Sequence, residues 1–228
     1  MGMPEWRIAR MHALHGRAQA TEVIMEVSTD STLRSLTDEL SHELWSVLAA
    51  RRNTSLRRLL APGPDEESLQ RICEAAGHAP DHAKQRSWRL IMIPAHKRSE
   101  LGMAFVDALE QREPGIDEHA RKAAYDKAFH APCLLVAILR DDPVPSNVPQ
   151  AERLISLGCA IQNMLTAAQA LGIASGLASG ASLASPSMRR LLGLQSGEQA
   201  VCFIGFGTAE SLKAPRPRPQ PAQYLTVL

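Results

Sequence analysis

Residues 151–171 read AERLISLGCAIQNMLTAAQAL, and the fold turns on this stretch. Leu154, Ile155, Leu157, Ile161, Met164, Leu165, Ala168 and Leu171 recur at helical steps yet cover more than one face. A helix apolar nearly all round belongs in the middle of a core or at a large subunit interface. Gly172 closes it, as glycine commonly does at a helix C-terminus.

Working outward, CLLVAIL at 133–139 reads as an apolar strand that Pro132 opens, with a proline-rich loop at 141–149 beyond it. Trp88 to Ile93 reads as another strand, and helical stretches at 97–111 and 117–128 are parted by Pro114-Gly115. On the other side, Ser175 to Gly180 is extended, Ser185-Pro186 caps a helix to Leu192, and Val201 to Gly207 is a strand. Further out, Leu36, Leu40, Leu44, Val47 and Leu48 predict a helix from about Ser35 to Arg51-Arg52-Asn53. Asp65 can cap a helix to Ala76, while Gly77 and Pro80 forbid its continuation.

Residues 1–33 show no clear period, which sets an N-terminal extension at 1–34 before a single domain at 35–228. At the other end, prolines bar a helix in KAPRPRPQPAQYLTVL (213–228). Its last run, Tyr224 to Leu228, is β-prone with no strand beside it in sequence, the pattern of a segment that joins a sheet in a partner chain. The elements alternate, but not in a strict βαβα rhythm. No GxGxxG follows a strand and no GxxxxGK[ST] occurs. The expected fold class is therefore α+β, a sandwich with helices around a largely antiparallel sheet.

With 45% apolar and 21% charged residues, the 228-residue chain has the composition of a soluble globular protein. A net charge of +1 gives no global field for nucleic acid or an anionic membrane, so any anion affinity must be local. No apolar run is long enough to cross a bilayer and no signal peptide is visible. Cys73, Cys133, Cys159 and Cys202 form no CxxC pair, which fits buried free thiols and a cytoplasmic location.

Four segments could carry chemistry. RRNTSLRRL (51–59) offers guanidinium forks and small polar side chains for a phosphate, or it is simply a solvated basic helix end. GHAPDH (77–82) spaces His78 and His82 four apart, but Pro80 breaks the helix that a metal pair would need and no third ligand is evident. These histidines are ligand donors or ordinary loop residues. ASGLASG (174–180) lets a planar ligand approach the backbone, or packs closely against protein. Lys213, Arg216 and Arg218 form a second phosphate grip or a solvated tail. No Ser-His-Asp or paired-carboxylate spacing stands out, so hydrolase chemistry is not indicated.

In order, the helix leading to RRN, AGHAPDHAKQRSW, FHAPCLLVAI, SLGCAIQNMLTAAQALGIASGLASG, and the strand ending in GFGT with its Arg-Pro tail resemble the nitroreductase family, in particular its small bacterial NAD(P)H-dependent members. The resemblance covers roughly residues 40–228. It implies a homodimer with FMN at the subunit interface and the C-terminal strand exchanged. It implies that Arg51, Arg52 and Asn53 bind the FMN phosphate and ribityl chain, with Arg216 and Arg218 as a C-terminal basic pair. His78 and His82 would reach the flavin of the other subunit, and the backbone of Leu177, Ala178 and Ser179 would lie along its ring. NADH or NADPH would pass hydride to flavin N5, and a nitroaromatic, quinone or similar acceptor would take it in ping-pong fashion. No catalytic side chain and no metal are implied, because the cofactor carries the chemistry. The chain departs from the family pattern at Asn53, where many relatives have Ser, and at His78, where many have Arg. It also has Leu177-Ala178 for a Trp-Arg pair and Ser87 for a Pro. The departures at His78, Leu177 and Ala178 motivate the alternative of a flavin-binding relative with weak or no turnover, acting as a carrier or interaction module.

Overall fold

A computed structural model describes residues 31–140, 148–211 and 217–228. The chain divides into two compact units, Met1–Ala49 and Ala50–Leu228. In the first, the described residues form most of helix α1 (Ser31–Ala50), which starts earlier than Ser35. Its Leu40, Leu44 and Trp45 are exposed.

The second unit is built on five strands: β1 (Leu59–Leu60), β2 (Trp88–Met92), β3 (Cys133–Arg140), β4 (Ala174–Ala178) and β5 (Glu198–Ala209). They run in the order β1-β5-β3-β2, with β4 also paired to β5, and every pairing is antiparallel. The CLLVAIL run is the reason β3 lies inside the sheet. Leu134, Val136 and Ile138 face one layer, and Leu135, Ala137 and Leu139 the other. A register shift between Ala137 and Ile138 interrupts the β3–β5 ladder.

Helices cover both faces. On one side α3 (Arg98–Arg112) packs with α4 (Glu118–Asp126) and α6 (Pro186–Leu191) over Phe105, Val136 and Phe203. On the other α2 (Glu66–Ala76) and α5 (Gln150–Ala170) pack over Leu135, Ile204 and Phe206. The caps fall where the sequence placed them. Asp65 accepts the Ser68 N–H at 2.8 Å, and Ser185 Oγ accepts the Met188 N–H at 3.2 Å. The core helix α5 buries Leu157, Met164 and Ala168 but leaves Leu154 and Ile155 42% and 62% exposed. One face of this apolar helix therefore lies in the core and another is open.

Tyr224 to Leu228 joins no strand among the described residues and is exposed. A short 3-10 turn, Pro221–Gln223, directs it, with Gln223 Oε1 accepting the Gln220 N–H at 2.8 Å. All four cysteines are free; burial pushes Cys133 and Cys202 up to about 11, which leaves them unreactive thiols at neutral pH. No helix among the described residues is long and apolar enough to cross a membrane.

Candidate functional site

The segment after α1 is stitched to β4. Asn53 forms a parallel bridge with Ser175, and the Thr54 N–H donates to Ser175 O at 2.8 Å. Asn53 Oδ1 accepts the Leu177 N–H at 2.9 Å, which fixes the orientation of the amide, since only the oxygen can accept. Between these contacts sits Gly176, where a Cβ would overlap the Thr54 carbonyl oxygen. The small residues at 174–176 therefore admit the protein's own backbone, and the Leu177 N–H is already used. The stretch open to a ligand is Leu177 to Gly180, where Leu177, Ser179 and Gly180 are exposed and Ala178 half-buried.

Three arginines gather at the start of this segment. Arg218 Nη2 donates to Arg51 O at 2.8 Å, and Arg52 Nη1 donates to the same oxygen at 3.2 Å. Burial holds the Arg51 guanidinium below its ordinary value, with the like charges of Arg218 and Arg52 adding to the effect. A polyanion placed there relieves that repulsion. Lys213 and Arg216 lie outside the described residues.

A cavity lies at each end of the Asn53–Thr54 stitch. One, of about 590 Å³, is lined by Arg52, Asn53, Thr54, Arg58 and the ends of β4 and β5. The other, of about 520 Å³, takes in Leu177, Ala178 and Ser179. Its apolar lining includes Leu56, Leu134, Phe105 and Phe203, whose rings are tilted with centroids 5.5 Å apart. Arg57, Arg112, Lys127 and His130 also line it. Arg57 belongs to RRNTSLRRL and His130 to FHAPCLLVAI, two segments that stand out in the sequence, although neither residue is marked there for a role. Arg112 and Lys127 carry no local signal, because chain folding alone brings the end of α3 and the loop after α4 to β4. That loop is held by Arg98, which is buried and donates to Ile93 O at 3.2 Å, Ala128 O at 2.8 Å, and His130 O and Pro132 O at 3.4 Å.

His78 and His82 are elsewhere in the chain. His78 sits exposed in the turn after α2, and His82 Nδ1 is 2.5 Å from Glu152 Oε2. Neither lines the cavities beside β4; their loop borders a separate hollow of about 440 Å³ with Trp88.

This architecture has known counterparts. The family model for the nitroreductase family matches residues 48–208. The chain belongs to the nitroreductase family. Among nitroreductase-family relatives, the Escherichia coli K12 protein named "Putative NAD(P)H nitroreductase YdjA" is 32% identical over 180 residues, covering 76% of this chain and 94% of that one. A nitroreductase with bound FMN from Bacteroides fragilis superposes with a TM-score of 0.63 at 24% identity, over 82% of this chain and 98% of that one. The FMN-dependent nitroreductase NfnB from Mycobacterium smegmatis, in complex with NADPH, gives 0.65 at 19%, over 83% and 99%. At these identities the solved structures establish the shared nitroreductase fold.

Proposed function

We propose that the protein is an FMN-dependent NAD(P)H oxidoreductase whose cofactor lies along the edge of β4. The observation that carries this reading is the convergence of the Arg52 and Arg218 guanidiniums on the Arg51 carbonyl oxygen, with both charges acting on the Arg51 guanidinium, beside a strand end open to a planar ligand. Like charges act on Arg51 from both neighbours, a donor set that fits a phosphate dianion. Bound FMN would supply the redox chemistry, taking hydride from NADH or NADPH and yielding it to a nitroaromatic, quinone or similar acceptor.

The chain's own part is positioning. Arg51, Arg52 and Arg218 would hold the phosphate, and Asn53 sets the height of β4 through Leu177 N–H. Ala178 and Ser179 would border the ring. Exclusion of water falls to the apolar lining of the cavity at the Leu177–Ser179 end, Phe105 and Phe203 among it. His78 and His82 lie away from their own chain's β4 edge, which supports their serving a partner's site in a homodimer. Exposed Leu154 and Ile155 on α5, with Tyr224, Leu225 and Val227 in the tail, supply apolar surface for that partner. The E. coli relative's name supports the nicotinamide donor.

The absorbance spectrum of the purified protein tests this reading. It should show the flavin bands after FMN is added, and NADH or NADPH should bleach them. A protein that takes up no FMN would overturn the proposal. Uptake without bleaching would favour the carrier reading, which Leu177-Ala178 motivates by leaving neither an aromatic nor a cation at that point of β4.

A further inference from the structure

The cavity at the Leu177–Ser179 end of the stitch carries cations that the cofactor reading does not use. Arg57, Arg112, Lys127 and His130 line it, and among the described residues no Asp or Glu does. Nearby carboxylates are engaged: Asp126 accepts from Lys122 Nζ at 2.8 Å, and Glu113 accepts from Arg112 Nη2 at 3.2 Å. Among the described residues, no ion pair engages Arg57 or Lys127. Beneath them the lining is apolar and aromatic, with the Phe105 and Phe203 rings 5.5 Å apart. Arg98 fixes His130 through its carbonyl, so this third polar group is held by a buried anchor. Burial, then the charge of Arg57, lowers the His130 pKa, which disfavours the charged imidazolium there.

Cations over an aromatic floor complement one class of molecule, a flat apolar body that ends in an oxyanion. We propose that this cavity selects the electron acceptor, an aromatic compound bearing a carboxylate or equivalent oxyanion, which Arg57 and Lys127 hold while its ring rests against Phe105 and Phe203. That the ligand is an acceptor rests on the flavin reading above; that it binds here does not. The volume, about 520 Å³, is within the range of small-molecule sites.

Calorimetric titration separates the two. The full-length protein with saturating FMN is titrated with 4-nitrobenzoate and with 4-nitrobenzamide, its neutral isostere. The carboxylate should bind about tenfold or more tightly, as two charge-assisted contacts imply. The Arg57→Gln/Lys127→Gln double variant, changed at two exposed positions, should bring that ratio close to one with FMN affinity unaltered. Equal affinities in the unmodified protein would overturn the proposal, and so would a ratio that survives the double substitution. Loss of FMN affinity in the double variant would assign the cations to the cofactor phosphate instead. A fall in NADPH affinity with the nitrobenzoate preference intact would assign them to the donor. Either result refutes acceptor selection. Because binding heat is read directly, a protein without FMN would refute the redox reading while the ratio still decides the pocket.

Discussion

At Asn53 the side-chain oxygen accepts the Leu177 N–H at 2.9 Å, which leaves its amide nitrogen and the second lone pair of the oxygen for a ligand. Asn53→Asp keeps the acceptor but places a negative charge among the arginines. It should leave the melting temperature within a few degrees and weaken FMN binding about tenfold, read by fluorescence titration. Unchanged FMN affinity would remove Asn53 from the phosphate environment. Arg51→Ala should cost about 10- to 100-fold in FMN affinity by loss of a charge-assisted contact. Gly176→Ala tests the stitch itself, since its methyl group would meet the Thr54 carbonyl backbone. A destabilisation of about 1–3 kcal/mol is expected, roughly 3–10 °C in the thermal transition. The site is thus partly legible in the residues. RRN and ASGLASG mark the two segments that meet there, but nothing local says that Asn53 Oδ1 serves the protein's own backbone.

Among the elements, the loop between α4 and β3 depends on the first residue of α3. Arg98 reaches four carbonyl oxygens with no carboxylate partner among the described residues, and burial lowers its pKa. Its charge is solvated by backbone dipoles in place of water. Ala131, held at φ 64 within this loop, shows how far the chain is bent to meet it. Arg98→Met should destabilise by about 2–4 kcal/mol and loosen the loop that carries His130, seen as lower melting temperature and faster proteolysis there. Arg98→Lys should recover little, because one ammonium cannot span four acceptors in a fixed fork. A rescue by Lys would show that charge alone matters. The sequence marks Arg98 only as a basic residue at a helix start, where the helix dipole disfavours it. That local mismatch is the one hint that its role is tertiary.

Across the whole molecule, Glu198 ties three strands together. It takes a bidentate pair from Arg89 at 2.7 Å on each oxygen, the Gln195 N–H at 3.0 Å, and Arg140 Nε at 3.4 Å. The Arg89 hydrogen bonds first, helped by Gln195 and the charge of Arg140, lower its pKa from 4.5 to about 2. A depressed folded value means stability that is present above about pH 4.5 and is lost as pH falls toward 2. Up to about 3 kcal/mol, reduced by solvent screening of the carboxylate, should disappear over that window, and Glu198→Gln should flatten that part of the curve, measured by denaturant titration at each pH. An unchanged acid limb in the variant would contradict the assignment. Subunit association is testable on the same scale. Deleting 221–228 removes the exposed Tyr224, Leu225 and Val227, and should convert a dimer into monomer on sedimentation with loss of FMN. A monomeric full-length protein that binds FMN would refute the dimer.

The sequence by itself determined the elements and their class. The 3.6-residue period of 151–171, the continuous apolar run at 133–139, and the caps at Asp65 and Ser185 act through near neighbours, so their physics is complete within a few residues. Five motifs in order also carried the family. Tertiary structure alone decided what meets at β4. Asn53 and Leu177 are 124 positions apart, and Arg57, Arg112 and the Lys127–His130 turn reach one cavity from three separate parts of the chain. Such contacts depend on how layers stack on the sheet, a property of the packed molecule that no local spacing encodes.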